Sequence, residues 1–283
     1  MEEIVQKASI RTNFSCLIAS YFKDDPKQLD EALNSIVTQS LRPEEIIFVE
    51  DGPLTSDLYS VLDSFNEKLP IKRVVIKDNK GLGNALNVGL KVCSYDIVLR
   101  MDTDDICHEQ RFEKQVRFLI DNPDVSIVGT WVKDVNEIGD IIAERTFPTS
   151  HEDLLRVIWA CPFAHPTVAF RKSAIESIGS YNTDIKRRQD YELWMRAAKH
   201  GLKFANIPEF LLYYRFTDDY YMKNNFQVAF QQAKMGWKGL RELSISSVYP
   251  YLAVASPMAR AILPSFLAKK LHAITRKIDP RRQ

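Results

Sequence analysis

Apolar positions follow two alternating rhythms over the first hundred residues. Short blocks such as FSCLIASY (14–21), IIFVEDG (46–52), IKRVVI (71–76) and YDIVLRM (95–101) read as strands. Between them the spacing changes to the three-and-four step of a helix. Leu29, Ala32, Leu33, Ile36 and Val37 share one face, behind a start signal in which Asp25 caps, Pro26 takes the first helical position and Gln28 completes a capping-box-like pattern. GLGNALNVGLKVC is a small-residue turn running into another helix. Strands separated by helices predict an α/β fold whose parallel strands are joined by right-handed crossovers. Ligands of such sheets sit beyond the carboxyl ends of the strands. Glu50, Asp51 and the cluster Asp102, Asp104 and Asp105 all fall at those ends.

The second half keeps the mixed character. VSIVGTWV (125–132), PTVAFR (166–171) and PEFLLYYR (208–215) read as strands. HEQRFEKQVRFLI and RRQDYELWMRAAKHG read as helices, the latter closed by Gly201. Ser150 and Ser173, each with an acid three residues on (Asp153 and Glu176), look like helix caps. Beyond Asp219 the pattern is helical and increasingly basic.

Composition narrows the function classes. A chain of 283 residues is long enough for one large or two intimate α/β domains. Lys and Arg number 38 against 37 Asp and Glu, so the chain as a whole does not seek polyanions. From Tyr251 to Gln283, however, there are seven cations (Arg260, Lys269, Lys270, Arg276, Lys277, Arg281, Arg282) and one acid, Asp279. This terminal patch lacks interleaved aromatics, which argues against nucleic acid as a partner. ARAILPSFLAKKLHAITRK instead mixes apolar residues with cations, as an interfacial helix would. The four cysteines are scattered without metal-ligand spacing and are expected to be reduced, buried hydrophobes. The N-terminal MEEIVQKASIRTN lacks a signal-peptide core, and no apolar run approaches the roughly 18 residues of a membrane span. The expectation is a cytoplasmic protein.

The chemistry concentrates in VLRMDTDDICHEQR (98–111). Residues two apart in an extended segment point the same way, so Asp102 and Asp104 share a direction at or just past a strand end. Carboxylates without His or Cys beside them suit a hard cation, Mg²⁺ or Mn²⁺, which is usually shared with a substrate phosphate. On these residues alone a solvated turn, or a cap in which Asp104 or Asp105 starts the next helix, explains the acids equally well. GLGNALNVG lacks the third glycine of a dinucleotide loop and follows the third strand, which argues against a Rossmann site.

Several elements in order resemble the inverting glycosyltransferases of family 2: LIASY, SIVTQSLRPEEIIFVEDG, NKGLGNALNVGL, LRMDTDD and RQDYELWMRAAKHG, from about Phe14 to Asp219. VEDGPLTSDLY, MDTDD and CPFAHPTVAFRK are similar to the bacterial enzymes that assemble O-antigen and exopolysaccharide repeat units, the amylovoran type. The resemblance implies a GT-A fold, a mixed but mostly parallel sheet flanked by helices, over residues 1–222. Its nucleotide-binding half would be about 14–105 and its acceptor half about 106–222, with a helical, basic, membrane-associating segment at 223–283. It implies that Ser20 and Tyr21 border the nucleotide, that Glu50 and Asp51 read uracil and ribose, and that Asn84 lies near the base or diphosphate. Asp102 would hydrogen-bond the ribose, Asp104 would bind Mn²⁺ or Mg²⁺, and Asp190 would be the general base. Gln189 stands where many members have Glu. Arg215 is followed by Phe216 and Thr217 rather than by the expected His, so a phosphate contact there is either absent or supplied by Arg215 itself. His165 is placed either against the acceptor or in a structural role ahead of Pro166. Trp159 and Trp194 are read as core, and His108 as solvated.

The reaction so implied transfers a single hexose, from UDP-glucose or UDP-galactose, in β-linkage to an undecaprenyl-diphosphate-linked saccharide at the inner face of an anionic membrane. The processive Q-x-x-R-W pattern is missing. A sugar nucleotidyltransferase is the alternative enzyme, but YFKDDPKQ has no glycine where such enzymes carry a Gly-rich loop. A non-catalytic nucleotide-sugar binder on the same fold is the third reading, opposed by the presence of Asp102, Asp104 and Asp190.

Overall fold

The computed structural model describes residues 12–215 and 226–262. β1 (Ser15–Ser20), β2 (Glu45–Asp51), β3 (Ile71–Ile76) and β4 (Ile97–Met101) lie side by side in parallel, in spatial order β3-β2-β1-β4. α1 (Pro26–Val37) starts as its sequence predicts, with the Asp25 carboxylate accepting from the N–H groups of Lys27 and Gln28. α2 (Ser56–Ser64) was not legible from the apolar pattern; Thr55 caps it by accepting from the Leu58 N–H. α3 (Leu82–Val92) follows the Gly81 turn. The chain therefore steps outward through β2 and β3 and returns on the other side of β1. Such a reversal opens a crevice beyond the carboxyl ends of the two strands that flank it, here β1 and β4.

Strand alternation divides the core into two layers. Cys16, Ile18, Ile46, Phe48, Leu99 and Met101 pack with α1, α2 and α4 (Arg111–Asp121). Leu17, Ile47, Val49 and Val98 face the other way, toward α3 and α7 (Gln189–Lys199). α3 lies close on the sheet because Gly89 has no side chain. A Cβ there would come within 2.4 Å of Leu17 Cδ1 and 2.7 Å of Val49 Cγ2.

The second half extends the same sheet. β8 (Ala169–Arg171) adds antiparallel to β4, and the long β6 (Val125–Val135) adds antiparallel to β8. β9 (Lys203–Arg215) runs parallel to β6, β5 (Ile106–Cys107) pairs with β9 at the edge, and β7 (Ile141–Arg145) forms a hairpin with β6. The order is β3-β2-β1-β4-β8-β6-β9-β5, parallel through its first half and mixed in its second.

Two local expectations are corrected. Residues 166–171 are strand only from Ala169, because Pro166 has no N–H for a ladder and His165–Thr167 closes a 3₁₀ turn, with the Thr167 N–H bonded to the Ala164 carbonyl. Ser173 is not a cap. It lies inside α6 (Lys172–Ser177), and its N–H is met from another element by Asp96 Oδ1 at 2.8 Å. Ser150 does cap α5 (His151–Arg156). The acids Asp104 and Asp105 do not start α4, since β5 intervenes. Cys16, Cys93 and Cys107 are buried and Cys161 half-buried.

α8 (Phe226–Glu242) packs on α7, where Met195 fills the space over Gly239. α9 (Val248–Ile262) packs on α8, with Trp237 Nε1–H donating to the Tyr251 carbonyl at 3.0 Å. Trp194 is fully buried, and half-buried Trp159 meets Tyr249 of α9 edge-on. Lys269, Lys270, Arg276, Lys277, Arg281 and Arg282 lie outside the described residues, as does any structure of residues 263–283. Among the described residues no helix is long and apolar enough to cross a membrane.

Gly89→Ala is expected to destabilise the protein by about 1–3 kcal/mol through overpacking of α3 against the sheet. Urea denaturation checks this; an unchanged midpoint would mean that α3 lifts away from the sheet at no cost.

Candidate active site

Alternation along β1, β2 and β4 decides which charged groups meet. Arg100 and Asp102 share the direction of Val98, toward the layer of α3 and α7. Asp51 shares the direction of Val49. Ser20 and Glu50 face the opposite layer, with Ile18 and Phe48.

Asp102, Asp104 and Asp105 follow β4, and each offers a carboxylate oxygen within 4.8 Å of the others. Asp102 accepts from Arg100 Nη2. Asp104 is half-buried, and its carboxyl is pushed up to about 7 by burial and by the charges of Asp102 and Asp24, which Arg100 only partly offsets. Asp105 is buried. Its Oδ1 accepts the Arg215 N–H at 2.9 Å, while Oδ2 has no hydrogen-bond partner. Burial, followed by Asp104 and Asp102, holds the Asp105 carboxyl well above the ordinary range. Three crowded carboxylates, one with an orphaned oxygen, fit a hard divalent cation.

Ser20 and Tyr21 border this cluster through a residue the sequence did not single out. Asp24 Oδ2 accepts from Ser20 Oγ (2.9 Å), the Tyr21 N–H (3.2 Å) and Thr103 Oγ1 (2.9 Å), tying the loop after β1 to the loop after β4. Burial pushes the Asp24 carboxyl up, against the three bonds that favour its ionised form. Tyr21 is 39 % exposed and meets Phe22 edge-on at the crevice. Asp51 accepts from the N–H groups of Lys80 and Gly81, both at 2.8 Å, and so shapes the turn that leads into α3 and its first-turn residue Asn84. Gly81 there has φ of +91°, a conformation open to glycine. Glu50 is turned inward, bonded by Arg73 Nε at 2.6 Å and Tyr59 OH at 3.2 Å.

A cavity of about 440 Å³ adjoins the crevice on the α7 side. Asp102, Arg100, His165 and Asp190 all line it, with Phe147, Phe163 and Tyr214 supplying apolar wall. Asp190 lies in the first turn of α7, half-buried, with Cys161 Sγ 3.8 Å from Oδ2. His165 is buried, and its Nε2 is 2.9 Å from Tyr181 OH. Burial and Arg100 keep its pKa well below the usual imidazole range, so it lines the wall as a neutral group. Arg215 is not among the lining residues. Its guanidinium goes to Glu31 Oε2 (2.5 Å), the Asp104 carbonyl (3.0 Å) and the Glu137 carbonyl (2.8 Å), bracing the acid-bearing loop. His108 accepts from the Gln110 N–H ahead of α4.

The glycosyl transferase family 2 model matches residues 15–179, which include the crevice, the acid cluster and His165. The chain belongs to this family. Among family 2 relatives, the UDP-Gal:alpha-D-GlcNAc-diphosphoundecaprenol beta-1,3-galactosyltransferase of Escherichia coli is 39 % identical over 73 % of this chain and 75 % of its own length. The amylovoran biosynthesis glycosyltransferase AmsE of Erwinia amylovora is also 39 % identical, over 73 % of this chain and 77 % of its own. The crystal structure of S. aureus TarS 1–349 in complex with UDP-GlcNAc superposes with a TM-score of 0.67 at 18 % identity, covering 88 % of this chain and 72 % of that one. The family 2 chain thus has the GT-A fold and is a glycosyltransferase.

Because the Asp104 carboxyl lies near 7 when folded and near its ordinary value of 3.8 when unfolded, the folded state resists its ionisation. The cost grows as pH rises from about 4 and is fully present above about 7. In metal-free protein, Asp104→Asn should therefore raise stability by up to about 4 kcal/mol at pH 8 and change it little at pH 4. Urea titrations at both pH values test this; an equal effect at both would dissociate the gain from the charge.

Proposed function

We propose that this chain is a metal-dependent inverting glycosyltransferase. It moves one hexose, from UDP-galactose or UDP-glucose, in β-linkage onto a lipid-diphosphate-linked saccharide of O-antigen or exopolysaccharide assembly. The observation that carries this reading is that Asp190 and Asp102, one of three carboxylates within 4.8 Å of one another, line the same cavity. The Escherichia coli relative, named for a galactosyl transfer to a GlcNAc-diphosphoundecaprenol, supports the choice of donor and acceptor.

Each residue then has a defined task. Ser20 and Tyr21 border the nucleotide, and Asp51 takes the base or ribose in preference to Glu50, whose oxygens already meet Arg73 and Tyr59. Asp51 retains lone pairs for such a contact, since a carboxylate has about four acceptor sites. Asn84 lies near the base or diphosphate, and Asp102 accepts from the ribose. Asp104, with Asp102 and Asp105, would hold Mn²⁺ or Mg²⁺, which supplies Lewis-acid neutralisation of the departing diphosphate. Asp190 takes the proton of the acceptor hydroxyl as its oxygen bonds to the anomeric carbon and the bond to the diphosphate breaks. Attack on the face opposite the leaving group converts an α-linked donor into a β-linked product. His165 and Phe163 give the acceptor side of the cavity its shape.

Residues 1–222 carry the transfer in this reading, and 223–283 bring it to an anionic leaflet. Phe226, Phe230, Val248, Tyr249 and Leu252 are exposed on α8 and α9, and the sequence from Tyr251 to Gln283 carries seven cations. This combination suits a surface that is apolar and negatively charged.

Two experiments decide between outcomes. Calorimetric titration with UDP-, GDP- and dTDP-sugars should show UDP-hexose binding in Mn²⁺ that EDTA abolishes. Asp190→Asn should keep that binding and lose transfer by at least about a thousandfold, whereas near-normal turnover would place the base elsewhere. Removing residues 263–283, which hold six of the seven cations, should weaken flotation with phosphatidylglycerol vesicles by about tenfold or more. Equal flotation of the truncated and full chains would make the terminus structural.

A further inference from the structure

Arg100 is a charged side chain of the cavity wall that the transfer chemistry above leaves unused. It occupies β4 between Leu99 and Met101, is 1 % exposed, and brings a full positive charge into the interior. A buried guanidinium is costly unless its five N–H donors are met. Among the described residues, the other two buried arginines bond through every nitrogen. Arg111, also buried, gives Nε to Gln115, Nη1 to Cys107 Sγ and Nη2 to the Arg100 carbonyl. Arg215 bonds through all three of its nitrogens. Arg100 bonds only through Nη2, to Asp102, while its Nε and Nη1 are buried without a hydrogen-bond partner and the side chain lines the cavity.

We propose that Arg100 is a donor-sugar-binding residue whose Nε–H and Nη1–H hydrogen-bond hydroxyl oxygens of the hexose being transferred. This rests on the transferase reading above. A guanidinium has donors and no acceptor, so its partner must present lone pairs. Asp102 already balances its charge, and the same acid stands within 4.8 Å of Asp104 and Asp105. A second anion placed on Arg100 would meet that acid crowding, whereas a neutral hydroxyl does not. The same proximity selects the donor sugar over the acceptor sugar. Arg100 lies one side chain away from the carboxylates that would serve the diphosphate, and the ring attached to that diphosphate is the donor hexose. A buried donor that expects a hydroxyl discriminates strongly, because an analogue lacking it leaves the N–H groups unpaired. Arg100 would thus contribute to the choice of hexose.

The test compares wild type with Arg100→Lys, which keeps the charge and loses the planar fork. UDP, the preferred UDP-hexose and its monodeoxy analogues are titrated into both in Mn²⁺, with thermal melts to confirm folding. Wild type is expected to lose about tenfold or more in affinity for at least one monodeoxy donor. Arg100→Lys is expected to bind that analogue and the parent nearly equally, and to show a UDP-hexose to UDP affinity ratio about tenfold below that of wild type. The ratio isolates the contact from any shift of Asp102. If the variant weakens UDP and UDP-hexose in equal proportion, Arg100 only supports Asp102 and the proposal is overturned. If wild type binds every monodeoxy donor as well as the parent, it is overturned whether or not the variant folds. Failure of wild type to bind UDP or any UDP-sugar would instead remove the transferase reading, and this proposal with it.

Discussion

Two like charges about 4 Å apart repel by roughly 4 kcal/mol even at an effective dielectric of about 20, and this chain brings three carboxylates within 4.8 Å of one another. Much of the surrounding structure answers that repulsion. Arg100 lies against Asp102, and the Arg215 backbone N–H bonds Asp105. The Arg215 guanidinium pins the Asp104 carbonyl to α1 and to the turn after β6. Asp24, a fourth acid, is tolerated because three donors converge on one of its oxygens. Even so, Asp104 remains pushed up to about 7. In the proposed reading, this residual repulsion of like charge is what a divalent cation would relieve.

The direction of β4 connects that charge to the cavity. Its side chains alternate, so Leu99 and Met101 go to the α1 and α4 layer while Arg100 and Asp102 face α7. β8 then adds antiparallel to β4 and carries the loop of His165 to the same side. In the proposed reading the acid cluster then has a nucleotide side, bounded by the loop after β1, and a transfer side, bounded by Asp190. The parallel half of the sheet makes the crevice, and the mixed half closes the cavity around it.

Much of this was legible in the chain. The first four strands, α1 with its Asp25 cap, α3 behind its glycine turn and α7 up to Gly201 follow from apolar spacing and punctuation, because each is stabilised by local signals that agree with its packing. α2 was missed because its apolar face is thin, with only Leu58 and Leu62 buried. Ser173 looked like a cap because serine usually caps its own helix; here Asp96, 77 residues earlier in the chain, does so. Among site residues, the carboxylates could be named by family likeness. Arg100 is marked in the sequence as a charged residue at an inward position of the apolar run IVLRM. Asp24 offered only its place after a strand.

The sequence by itself determined the α/β alternation, the acids at the strand ends and membership of a family whose reaction those acids suit. These are matters of period, residue type and order, which are written locally. Tertiary structure alone decided the partners. It turned Glu50 inward to Arg73 and committed Arg215 to bracing. It made His165 a neutral wall residue beside Tyr181, and left two buried donors of Arg100 without a partner in a side chain that lines the cavity with Asp190. Hydrogen bonding and burial depend on neighbours far apart in the chain, and no local pattern specifies which of several suitable partners a buried charge will meet.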